Sequence, residues 1–236
     1  MCFSATASFT TAAVLMPAGV YCVTKAASMQ KAYWLFALMP FMFGMQQFFE
    51  GFVWLGIASG DGVTTLMAAR GYIFFSHLFW LIWIPLSCYA VEDNANKRKL
   101  YFFLVLLGII HSLSMYVPLL IHDDRIIVKL IGDSIKYKLV LLHDEYVDIR
   151  IMNLLYASFT LIPLLTASDR YIKVFGVIIM LSLVITSLYF EYTIVSVWCF
   201  FAAVLSLYIV FMISVKIKSD GAGSNGAGKI ESPPAG

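Results

Sequence analysis

The chain has 236 residues, 61% hydrophobic and only 13% charged, where an ordinary soluble domain has about 25% charged residues. With a mean hydropathy of +0.86, this is the composition of one polytopic membrane domain in contact with a lipid bilayer. A net charge of +2, with no glycine-rich phosphate loop and no basic aromatic patch, excludes nucleic acids and nucleotides as partners.

From Met1 to Val23 there is no cation, and the first, Lys25, follows the apolar run. A secretory signal carries its charges before that run, so the first helix is expected to stay as a span with its N-terminus outside. A bilayer needs ~20 apolar residues per helix, which gives about seven spans. They are Ser4–Val23, Tyr33–Ala58, Leu66–Val91, Leu100–Ile121, Ile151–Ala167, Tyr171–Phe190 and Tyr192–Val215. The first five each carry a proline (Pro17, Pro40, Pro85, Pro118, Pro163), read as kinks that neighbouring helices compensate. No internal repeat is visible.

Cations set the orientation. Alternate loops hold Lys25 and Lys31, Lys97 to Lys99, Arg170 and Lys173, then Lys216 and Lys218, while the opposite loops hold Asp61 and Glu191, with the long loop Asp123–Arg150, which mixes both signs, as the exception. This predicts a seven-helix bundle with its N-terminus outside and its C-terminus inside, in the inner (cytoplasmic) membrane. The bundle covers residues 1–217. Residues 218–236, rich in Gly, Ala, Ser and Pro from Gly221 onward, are expected as a flexible cytoplasmic tail.

The long loop between the fourth and fifth spans has an order of its own. Over 125–142, Gly132-Asp133 is a two-residue turn signal between β-branched runs. Pairing across it sets Leu130 opposite Ile135, Val128 opposite Tyr137 and Ile126 opposite Leu139 on one face, with Lys129, Lys136 and Lys138 on the other. Such a hairpin is expected to rest its apolar face on the outer mouth of the bundle, as a lid, a passive cap or a homodimer contact.

The polar residues of the spans concentrate at one depth. Gln46, Glu50 and Trp54 recur every four residues and share a helix face, with Gln47 beside them. A carboxylate in hydrocarbon costs at least ~3 kcal/mol, so it faces other helices or water and marks a working site. At 1.5 Å per residue, Glu50 lies about 13 Å below the outer end of its span, and His77 and His111 each about 16 Å below theirs. Arg70, on the face of His77, is placed to reach toward Glu50; Trp80 and Tyr116 complete the set. Trp34, Trp54 and Tyr192 read as belt anchors, His122 and His143 as solvated loop groups, and Asn153 as one of several polar residues of the outer half. Of the four cysteines, Cys2, Cys22, Cys88 and Cys199, none forms a CxxC pair. They read as small buried hydrophobes, with a Cys2–Cys199 disulfide as the alternative.

The opening MCFSATASF, the stretch GMQQFFEGFVWLG and the late SVWCFFAA resemble a family of uncharacterised bacterial integral membrane proteins. The resemblance spans most of the chain and implies a bacterial cytoplasmic membrane, with no activity attached.

Three functions follow from the polar level. The first is a haem b protein for electron transfer, sensing or haem handling. His77 and His111 would ligate the iron from opposite sides, and Glu50, Arg70, Gln46, Gln47, Trp80 and Tyr116 would surround the macrocycle. The second is a zinc-dependent membrane hydrolase, since Glu50, His77 and His111 make a His₂Glu set. The third is a small-ligand receptor or a proton or solute pathway, which suits a buried Glu, Gln and His network. Haem is the expectation carried forward.

Overall fold

The structure, a computed structural model, describes residues 4–27, 29, 33–141, 149–190 and 193–227, with backbone alone at 149, 150, 153 and 218–227. Cys2, Lys31, His143, Glu191, Tyr192 and the side chains of Asn153 and Lys218 lie outside the described residues.

Helices occupy the predicted spans in order: α1 (Ala5–Ala26), α2 (Trp34–Ala37), α3 (Met39–Ser59), α4 (Gly62–Phe74), α5 (Trp80–Val91), α6 (Ala95–Ile121), α7 (Ile149–Thr166), α8 (Arg170–Tyr189), α9 (Ile194–Leu205) and α10 (Leu207–Ala227). Among the described residues five segments are long and apolar enough to cross a membrane: α1, the α4–α5 unit, α6, α8 and the α9–α10 unit to Ile217. Two expected spans fall outside that set. α3 has the length, with 21 residues, but Gln46, Gln47 and Glu50 lower its hydropathy. α7 has 18 residues, Ile149–Thr166, of which the stretch after the undescribed Asn153 side chain, Leu154–Thr166, is apolar. Where the sequence leads one to expect a tail from 218, the backbone stays helical to Ala227; each residue added to a nucleated helix gains a hydrogen bond.

Sequence signals set the helix ends. Ser4 Oγ accepts from the Ala7 N–H, Asp61 Oδ1 from the Val63 and Thr64 N–H groups, and Asn94 Oδ1 from those of Asn96 and Lys97. Gly60 closes α3 at φ 69°, the left-handed conformation that glycine tolerates best.

The prolines act unequally. Pro40 has no N–H to offer Phe36, and the second expected span breaks at Leu38 into α2 and α3. Pro85 leaves α5 continuous but frees the Leu81 carbonyl. That oxygen lies against Gly108 of α6, where an added Cβ would sit 2.5 Å from it, so the residue without a side chain lets α5 and α6 close. Between α4 and α5 the helix widens into a π-turn, Phe75–Phe79, with His77 at its centre. Nothing in the apolar pattern of that span predicts it.

α3 turns one face inward, packed against α1, α4 and α9, and leaves Phe48, Phe52 and Leu55 exposed on the other. Its contact with α1 is antiparallel and close: Phe41 covers Gly19, Met16 covers Gly44, and Phe9 covers Gly51. The hairpin forms as β1 (Ile126–Ile131) and β2 (Ser134–Leu139), in the expected register: Ile126 faces Leu139, Val128 faces Tyr137, and Leu130 faces Ile135. Gly132 takes φ 58° at the turn. The apolar face lies on the bundle, β1 toward α4 and β2 toward α9. Ile126, Ile135 and Tyr137 are buried, and only Leu130, at the tip, stays exposed.

The opposite end is tied by ions and caps. Glu92 Oε1 accepts from the Asn94 N–H (2.9 Å) and Oε2 from the Ser168 N–H (3.0 Å), which joins the start of α6 to the α7–α8 turn. Burial pushes the Glu92 carboxyl up, but these backbone donors outweigh it and hold it below its usual range. Asp169 caps α8, accepts from the Tyr33 hydroxyl (2.7 Å) and pairs with Lys216 Nζ at 2.5 Å. It therefore pins α2, α8 and α10 together.

Candidate functional site: a buried polar centre on the inner helix

Glu50 faces inward from α3 and is 2% exposed. Its Oε1 accepts from the Ser196 hydroxyl of α9 at 2.5 Å and its Oε2 from Gln47 Nε2 at 3.1 Å. Gln46 Oε1 accepts from the Trp80 indole N–H at 2.8 Å, and that indole stacks on Phe43 with centroids 3.9 Å apart. Because an indole only donates and a carboxylate accepts, both amide orientations are fixed. Gln46 is left with a spare N–H₂ and Gln47 with a spare carbonyl. Among the described residues both atoms are buried without a nitrogen or oxygen hydrogen-bond partner, as is the Tyr137 hydroxyl, with the Gln46 amide against the Cys199 thiol.

The centre is roofed by the hairpin. Tyr137 stacks on Tyr72 of α4, with centroids 4.7 Å apart and planes at 11°, and the Tyr72 hydroxyl donates to the Val195 carbonyl at 3.2 Å. Cys199, one helical turn beyond Ser196, lies against Gln46 and Tyr72. It is a free, buried thiol, as are Cys22 and Cys88; its expected alternative partner, Cys2, lies outside the described residues.

Arg70 does not reach Glu50. Its guanidinium pairs with Asp123 and donates to the Leu120 carbonyl at 3.3 Å. A long cationic side chain gains more by climbing to the interface, where Asp123 waits at the end of α6, than by following its helix inward. Tyr116, expected near the cofactor, donates instead to the Arg70 carbonyl at 3.3 Å and packs with the hairpin group of residues.

The two histidines meet one stripe of α7. His77 packs near Tyr156 (6.4 Å between centroids) and His111 stacks on Phe159 (5.6 Å). The imidazole of His77 bonds through Nδ1 to Ser76 Oγ at 2.8 Å. It lines a cavity of about 80 Å³ with Tyr156, Leu183, Trp198 and Cys199, and His111 is not part of that wall. Pockets for drug-sized ligands run to ~300 Å³ or more, so a porphyrin does not fit beside His77 while α7 holds this position. Among the described residues no three of His, Cys, Asp and Glu come together as a metal site. Glu50, with both oxygens bonded to Ser196 and Gln47, does not join the histidines in the expected His₂Glu set.

The sequence reading places Gln46, Gln47, Glu50 and Trp80 in the centre, and the structure brings them together. It misses Ser196, Cys199, Tyr72 and Tyr137. The first two stand three apart in SVWCFFAA, a spacing that puts two small polar groups on one helix face. Tyr137 could have been found as the hydroxyl on the otherwise apolar face of the hairpin.

Comparison with curated proteins and with solved structures finds no match. A family profile described as "Family of unknown function (DUF6629)" matches residues 1–224. A match over nearly the whole length makes the chain a member of that family of unknown function.

Proposed function

We propose that this is a seven-helix protein of the bacterial cytoplasmic membrane, N-terminus outside, that acts as a receptor for a small ligand at the Glu50 centre. The orientation is supported by the short loops: those at the end opposite the hairpin carry Lys25, Lys97 to Lys99, Arg170 and Lys173, while the long hairpin loop, which mixes both signs, is the exception to the positive-inside rule. In this arrangement α3 and α7 complete the bundle, and α3 is shielded from lipid on its polar face by α1, α4 and α9. A cysteine introduced as Lys138→Cys, exposed on the outer face of the hairpin, should react with a membrane-impermeant maleimide in right-side-out vesicles. Lys97→Cys should react only after permeabilisation. The reverse pattern would invert the topology.

One observation carries the functional reading: Gln46 Nε2, Gln47 Oε1 and the Tyr137 hydroxyl, around a buried carboxylate, have no nitrogen or oxygen partner among the described residues. A buried polar group without a partner costs about 1–3 kcal/mol, so a purely structural centre would be better built from apolar residues. Groups kept at that cost supply a donor, an acceptor and a group able to do both, which suits a small hydrogen-bonding ligand. A continuous proton or solute path is less well supported, because the next layer on the inner side is apolar, with Phe36, Met39 and Met212 buried there.

The test is a double-mutant cycle read as thermal stability in nanodiscs. Glu50→Leu alone should lose about 1–3 kcal/mol, because it leaves the Gln47 amide and the Ser196 hydroxyl facing a side chain that cannot accept. Glu50→Leu with Gln47→Leu should recover most of this or exceed the wild type. A double variant much less stable than either single would mean that the centre holds the fold together, and the receptor reading would fall.

Haem b is the second reading, favoured by the meeting of His77 and His111 on α7. It requires α7 to leave both rings, and a Soret band in the purified protein that the His77→Ala variant loses is the observation that would promote it.

A further inference from the structure

The hairpin closes the centre from above, yet a second approach is open from the side. α7 and α8 touch closely near their turn, where a Cβ on Gly176 would meet Leu164 at 2.7 Å. Toward the hairpin end they separate, and the cavity of about 80 Å³ lies between them and α9. His77, Ala157 and Leu183 on its wall are only partly buried, so among the described residues it is open to the bundle surface, which at this depth faces lipid. Leu154, Ile185 and Leu188 around it are exposed hydrophobics.

The lining defines what enters. His77 spends Nδ1 on Ser76, which leaves Nε2 as its second hydrogen-bonding atom. The Tyr156 ring packs edge-on against Trp198, and its hydroxyl has no hydrogen bond among the described residues. Among the described residues no lysine or arginine lines the cavity, and Glu50 lies beyond Cys199, which borders both spaces. An anionic head would meet no countercharge there. The space is small, with room for a hydroxyl or carbonyl and the first carbons of a chain. The rest of a chain would stay in lipid between α7 and α8.

We propose that this side cavity takes a neutral, single-chain lipid alcohol or carbonyl compound from the bilayer, its oxygen held between His77 and Tyr156. The proposal rests on the receptor reading above and deepens it by naming the ligand's class and its route. Cys199 links the two, since a ligand at His77 presses on the thiol that touches Gln46 and Tyr72.

The experiment is photo-crosslinking of the full chain in phosphatidylcholine nanodiscs. The probe is a long-chain alcohol with a diazirine beside the hydroxyl end, and the matched carboxylic acid is the comparison. Labelling should saturate, map to the peptides of Tyr156 and Trp198, and be competed by dodecanol. Removing the imidazole as His77→Phe should reduce it about fivefold, the worth of one neutral hydrogen bond. Filling the space as Ala157→Phe should abolish it; if that variant fails to fold, Leu183→Phe takes its place. Labelling that rises without saturation and is indifferent to these variants is bilayer partition, and it overturns the proposal. Acid labelling equal to that of the alcohol overturns the neutral head. A negative crosslink with the Glu50–Gln47 cycle behaving as expected removes the lipid ligand and leaves the polar centre. The opposite pair of results removes the centre.

Discussion

Gly19→Ala should lower the melting temperature by roughly 10 °C. The added Cβ would lie 2.4 Å from the backbone nitrogen of Phe41 and 2.5 Å from its Cβ. Neither atom can swing away, so α1 and α3 must move apart along their whole contact. Overpacking of this kind costs about 1–3 kcal/mol and more where backbone is hit, and about 3 kcal/mol shifts a chain of this size by roughly 6–12 °C. Two companions calibrate the result. At Gly51 the clash is with the ring of Phe9, a side chain able to rotate, so Gly51→Ala should lose less. At Gly62 nothing lies within 4 Å, and Gly62→Ala should be neutral or slightly stabilising. If Gly19→Ala melts with Gly62→Ala, the α1–α3 approach is not as close as described.

Asp169→Asn should cost about 3 kcal/mol at neutral pH and change how stability depends on pH. The carboxylate pairs with Lys216 while both side chains are mostly out of water, 15% and 17% exposed. Loss of one partner of a fully buried pair costs ~3–5 kcal/mol, and this pair belongs at the low end. Lys216 retains the faces of Tyr33 and Tyr171, with its nitrogen 4.6 Å and 5.3 Å from their centroids. Burial would raise the Asp169 carboxyl, but the Lys216 ammonium, the Tyr33 hydroxyl and the Tyr171 N–H prevail and hold it below the usual carboxylate range. A group whose folded pKa is depressed adds stability above its unfolded pKa, about 3.9 for Asp, and loses it as pH falls through the lower folded value. The wild type should therefore lose this contribution below about pH 4, and the gap to Asp169→Asn, measured as melting temperature, should close there. A gap that persists unchanged at pH 3 would assign the effect to packing. Adding Lys216→Met to Asp169→Asn should restore most of the loss, since the pair is then removed whole.

These effects mark where sequence and tertiary structure divide. The hairpin was legible to the residue, because side chains in a strand alternate with period two and Gly132-Asp133 fixes the turn; a slip of one would have turned Tyr137 out to water. Helix positions were legible from apolar length, but not all their ends: the spans read from Leu66 and Leu100 begin at Gly62 and Ala95, where Asp61 and Asn94 cap them. The importance of Glu50 was legible too, since a carboxylate amid so many apolar residues must be accommodated by something.

What accommodates it was not legible. In a span that is apolar all round, periodicity does not fix helix rotation. Depth along the axis therefore placed Glu50, His77 and His111 at one level, while rotation and the π-turn of Phe75–Phe79 sent them to different neighbours. Arg70 was assigned by depth to Glu50 and goes to Asp123, because the ion pair at the interface avoids the desolvation of a deeper one. Ser196 stands 146 positions from Glu50 in the chain, and only packing of α9 on α3 brings it there. The sequence by itself determined a membrane bundle with one helix polar on one face and a capped end, because length, hydropathy and alternation are local. Tertiary structure alone decided which polar groups share a centre, since that depends on the rotation of each helix and on the close approaches that glycine permits at Gly19 and Gly108.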